Sequence, residues 1–73
     1  MNISNYIEKH STQSEFAKII GVTSGMVYQW QKGLRPISAE QCVVIEQKTE
    51  GKITRKDLRP NDWHLIWPEL EAA

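Results

Sequence analysis

The 73 residues, 40% apolar and 25% charged, leave room for one domain (1–73) around one modest core, so some stability should come from association. A lone cysteine, Cys42, excludes a disulfide framework and a metal knuckle, and no apolar run approaches the ~20 residues that span a bilayer. The net charge of zero hides a segregation: residues 1–59 carry nine Lys and Arg against six acids, whereas residues 60–73 carry Asp62, Glu69 and Glu71 and no cation.

The chain reads as a series of short helices. Ile3, Tyr6 and Ile7 fall at helical spacing within residues 2–10. Thr12 with Glu15 has capping-box spacing, and Phe16, Ala17, Ile19 and Ile20 supply the buried face of the helix that follows. Gly21 stops it. Thr23 or Ser24 can cap a third helix with Val27 and Trp30 inward and Gly33 as its stop. Pro36 keeps it from continuing. Ser38 with Gln41 repeats the box spacing before a fourth helix that buries Cys42, Val43 and Ile45, with Val44 as a further candidate, and stops at Gly51. Beyond Lys52 the signals weaken. Thr54 with Asp57 suits one short turn, residues 52–54 suit a short strand, and Pro60 and Pro68 keep the remainder broken. The expectation is an all-α domain of four to five short helices with an irregular C-terminal segment at 60–73.

Residues 13–33 carry the functional signal. Ala17 sits where two helices cross most closely, so only a small side chain fits. Gly21, four residues later, permits a tight turn at positive φ. Val22, Val27 and Trp30 then lock the second helix onto the first. These positions resemble the helix-turn-helix of the phage Cro and cI repressors. Val27-Tyr28-Gln29-Trp30, with Gly33 three residues on, is also similar to small phage Cro proteins and prophage YdaS-type regulators. Asp57-Leu58-Arg59-Pro60, with Trp63 following, resembles the YdaS-type ending. The resemblance covers residues 12–70.

The resemblance implies a lambda-repressor-like fold that binds double-stranded operator DNA, with residues 23–32 as recognition helix in the major groove. Its exposed face comprises Thr23, Ser24, Gly25, Tyr28, Gln29 and Lys32. Gln29 suits bidentate reading of adenine. Tyr28 suits a thymine methyl group or a phosphate. Lys32 and Arg35 would neutralise phosphates, and Gln13 would meet one at the partly positive start of its helix. Gly25 stands where relatives often place a reading side chain. A Cro-type transcriptional repressor is expected, acting as a homodimer on a palindromic site in the bacterial cytoplasm and nucleoid.

Other readings stay open beside this one. Trp63, Ile66, Trp67 and Leu70 follow helical spacing and form either a partner-binding stripe or a lid over the core. YdaS-type proteins are often described as antitoxins, and a tail built on Trp63 and Trp67 suits a protein partner. A pure protein-interaction module is the third reading. The basic cluster at 52–59 suits a phosphate clamp slightly better than a solvated turn. His10, His64 and Cys42 lack partners of metal-ligand or catalytic spacing, and no phosphate-cradling loop or nucleophile pair is present. Neither an enzyme nor a cofactor is expected.

Overall fold

The computed structural model describes residues 1–71, so the last two residues of the 60–73 segment lie outside the described part. The described residues are all-helical: α1 (Ile3–His10), α2 (Gln13–Ile20), α3 (Ser24–Gln31), α4 (Ala39–Lys48), α5 (Arg55–Leu58), α6 (Trp63–Ile66) and a final 3-10 turn (Pro68–Leu70).

Each of the longer helices begins on a side-chain cap that satisfies a backbone N–H otherwise left without a partner. Asn2, Thr12, Thr23 and Ser38 accept from the N–H groups of Asn5, Glu15, Met26 and Gln41. The reciprocal, two-way box forms at neither Thr12 nor Ser38. It forms at Thr54, whose hydroxyl accepts from Asp57 N–H while the Asp57 carboxylate accepts from Thr54 N–H. Gly21 ends α2 at φ 88°, and Ala17 C=O accepts from both Gly21 N–H and Val22 N–H. That left-handed residue turns the chain sharply enough for α3 to pack across α2.

The core gathers Ile3, Phe16, Ala17, Val27, Trp30, Ile45 and Ile53, with Tyr6, Ile7, Ile20, Val22, Met26, Ile37 and Leu58 packed around it. Phe16, Val27, Cys42, Ile45 and Ile53 are wholly enclosed. Trp30 is a core residue, as its place on the apolar face of α3 requires. Ile19 departs from expectation and stands 46% exposed. The inward arc of this two-turn helix is filled by Phe16, Ala17 and Ile20, and Ile19 falls outside it. Val43 is likewise only half-buried, because Cys42 and Ile45 take the inward positions of α4.

The segment after α4 is not a strand; no strand occurs among the described residues. Thr49, 2% exposed, instead organises a turn there. Its hydroxyl donates to Ile45 C=O (2.7 Å) and accepts from Ile53 N–H (3.2 Å), which seats Ile53 in the core. The C-terminal segment is more regular than its prolines suggested, and it folds back. Trp67 is buried, with the Arg55 guanidinium 5.4 Å from its ring centroid. Trp63 is half-buried, with the Lys56 ammonium 4.4 Å from its ring.

Candidate nucleic-acid interface

α2 and α3 pack closely as consecutive helices joined by the turn at Gly21, the arrangement that the 13–33 spacing called for. Val27 and Trp30 hold α3 by its inner face, which turns Ser24, Gly25 and Tyr28 outward. Lys32 caps the C-terminal end of α3, with its ammonium 5.8 Å from the Tyr28 ring centroid. Cation and phenol therefore occupy the same outer face.

The structure gives the other expected site residues more definite tasks. Thr23 is the N-cap, so its hydroxyl oxygen is already engaged with Met26 N–H (3.1 Å). Gln13 donates from Nε2 to Ser24 C=O (3.0 Å), tying the start of α2 to the start of α3. One amide hydrogen of Gln13 is thus committed within the protein. At Gly25 an added Cβ would meet only Thr23 Oγ1 at 3.9 Å. Neither packing nor backbone conformation within the chain requires a glycine there.

Arg35 and Gln29 are brought together, which the spacing of the sequence did not reveal. Arg35 Nε donates to Gln29 Oε1 at 2.8 Å. The backbone arranges this. Gly33 at φ 71° reverses the chain after α3, and Leu34 N–H donates to Gln29 C=O (2.9 Å). That reversal brings residue 35 back beside residue 29. The signal was present as Gly33 followed by apolar Leu34, a helix-stop pattern. Gln29, Arg35, Met26, Leu34, Pro36, Ser38 and Gln41 line a shallow groove between α3 and the start of α4.

Electrostatically, residues 16–39 carry Lys18, Lys32 and Arg35 and no acid at all. The modest positive balance of residues 1–59 is therefore undiluted across most of α2 and all of α3. The 52–59 cluster is different, because three of its four cations are engaged inside the molecule. Arg55 pairs with Glu46 (2.9 Å), Lys56 lies over Trp63, and Arg59 grips Asp62 through two nitrogens. Arg59 Nη1 also donates to Ile37 C=O (2.7 Å). Through these contacts the cluster fastens the C-terminal segment. Trp67, a candidate for partner binding by its spacing, is only 8% exposed and lies against Arg55 of α5.

The family model described as "Bacterial toxin YdaS" matches residues 3–66, from α1 through α6. The chain belongs to the YdaS family. A YdaS relative, "Putative transcriptional regulator YdaS" of Escherichia coli (strain K12), is 44% identical over 55 residues. That alignment takes in 74% of this chain and 56% of the relative, so the chain spans little more than half the relative's length. The YdaS match includes the whole helix-turn-helix and the Asp57-Leu58-Arg59-Pro60 turn. No described helix is long and apolar enough to cross a membrane.

Proposed function

We propose that this YdaS-family chain is a sequence-specific DNA-binding regulator of Cro type. In this reading α3 enters the major groove, and a homodimer covers a palindromic operator and represses by excluding polymerase. The observation that carries the reading is the outer face of α3, where Ser24, Gly25, Tyr28 and Lys32 stand open in an acid-free stretch beside the Gln29–Arg35 pair. The regulator name of the Escherichia coli relative supports the same reading. Two such helices would sit about 34 Å apart, in successive major grooves of one DNA face. Binding to the nucleoid in the bacterial cytoplasm follows from this role.

The decisive experiment is selection of bound DNA from a randomised duplex library, followed by affinity measurement at ~50 and ~200 mM salt. An enriched inverted repeat with a steep loss of affinity between those salts is the expected result. Lys32→Ala should weaken operator and random DNA alike and reduce the salt slope by about 0.9 for each phosphate no longer neutralised. A folded protein that enriches no sequence sinks the proposal.

The family's description as a toxin favours a second, compatible reading in which DNA binding is itself the harmful act. It points away from the antitoxin role that the YdaS-type resemblance raised. Growth arrest on induction should then disappear with Gln29→Ala and Lys32→Ala together. Arrest that persists in this folded double variant removes DNA binding as its cause.

A further inference from the structure

We infer that Gln29 and Arg35 act as one donor-only reading unit selective for guanine, an assignment that rests on the DNA-binding reading above. A free glutamine amide offers a carbonyl acceptor and an NH2 donor, the pair that matches N6 and N7 of adenine. In this protein the acceptor is engaged. Arg35 Nε holds Gln29 Oε1 at 2.8 Å and turns it toward the loop between α3 and α4. Gln29 Nε2 and the two Arg35 Nη nitrogens make no hydrogen bond among the described residues, and all of them are donors. Guanine presents two acceptors in the major groove, N7 and O6, and so complements such a set.

Oε1 retains a second lone pair, but its use by adenine is unfavourable. The adenine N6 amino group, itself a donor, would have to lie against the guanidinium that occupies the first lone pair. Like-signed hydrogens would face each other in a site from which water is largely displaced.

The pairing is also braced by backbone. The reversal at Gly33 and the Leu34-to-Gln29 hydrogen bond (2.9 Å) set where Arg35 leaves the main chain. Gln29 is half-buried in the groove beside Met26 and Gln41, which restricts the rotation of its amide. The reading residue and its orienting partner are thus six positions apart in sequence but joined in space before DNA arrives. Such pre-organisation lowers the ordering cost of binding.

The test begins with the selected operator. The base pair read by this unit is the one at which Gln29→Ala loses discrimination. Affinities are then measured for all four base pairs at that position, with native protein and with Arg35→Ala, each variant checked for fold by circular dichroism and melting. The native protein should prefer guanine over adenine there by at least about fivefold, the lower bound for a bidentate contact. Arg35→Ala frees Oε1, so the ratio should shift toward adenine while preferences elsewhere persist. Replacing the guanine by 7-deazaguanine, which lacks the N7 acceptor, should weaken native binding without any change to the protein.

A native preference for adenine overturns the assignment and leaves DNA binding intact. So does an Arg35→Ala variant that loses affinity equally for all four base pairs, or a Gln29→Ala variant that loses it at no particular position. Indifference to 7-deazaguanine also counts against it. Failure to enrich any site overturns the DNA-binding reading itself, and this assignment with it.

Discussion

Thr49 shows how much of this small fold hangs on one hydroxyl. It is the one polar side chain among the buried described residues, and it joins the end of α4 to Ile53 by donating to one backbone group and accepting from another. Thr49→Val keeps the shape but leaves Ile53 N–H without its partner inside the core. The cost should be about 1–3 kcal/mol, the range for an unsatisfied buried group. Thr49→Ser retains the hydroxyl and should lose less. Urea denaturation of both variants checks this, and a larger loss in Thr49→Ser would mean that the methyl group matters more than the bonds. Nothing in the sequence marks Thr49. Caps announce themselves by position before an apolar run, whereas a bridging threonine after a helix looks like an ordinary surface residue until the chain closes around it.

At the scale of elements, α3 separates what folding needs from what recognition needs. Gly25 lies within a helix, at a position where an added Cβ would make only an ordinary contact with Thr23 Oγ1. Glycine is less favourable than alanine by about 0.8–1.0 kcal/mol in a helix interior, an upper value for this second position of α3. Gly25→Ala should therefore stabilise the free protein by roughly 0.5–1 kcal/mol, read as a raised denaturation midpoint. If the backbone of α3 lies against DNA at this turn, the same variant should bind the operator more weakly. A variant that is more stable yet equally tight would place Gly25 outside the contact. The C-terminal elements divide differently. Trp67 is buried and Leu65 is 75% exposed, so Trp67→Ala should lower the melting temperature sharply while Leu65→Ala leaves it nearly unchanged. The expected cost of the first, about 3–5 kcal/mol, approaches the whole stability of a small domain. These contrasts follow what was legible in the sequence. The helix-turn-helix is written in local signals, since Thr12, Gly21, Thr23 and Gly33 each act within a turn of their own position. Burial of Ile53 and Trp67, exposure of Ile19 and the grip of Arg59 on Ile37 are agreements between distant segments. Periodicity over so few turns does not specify them.

For the molecule as a whole, stability should be limited at both ends of the pH scale by different parts of the fold. Partial burial pushes Asp57 upward, but hydrogen bonds from the Met1 ammonium and from Thr54 outweigh it and leave the carboxyl below its usual value of 3.8. The Arg59 hydrogen bond likewise holds Asp62 below 3.8. A carboxylate lowered in the folded state adds stability above its unfolded value, so this contribution should fade as pH falls from about 4 downward. The alkaline side belongs to Cys42. Burial pushes its thiol from 9.0 up to about 11, partly opposed by Arg59. A folded value raised in this way leaves stability intact below pH 9 and erodes it as pH rises from 9 toward 11, because only the unfolded chain ionises freely there. Cys42→Ala removes the thiol, and the melting temperature of that variant should decline less steeply between pH 9 and 11 than that of the native protein. The acid limb should not move, since the ion pairs at Asp57 and Asp62 are untouched. Parallel alkaline declines in the two proteins would show that other groups drive the loss. A matching change in the acid limb would show that the core around Cys42 and the Arg59–Asp62 clasp unfold as one linked unit.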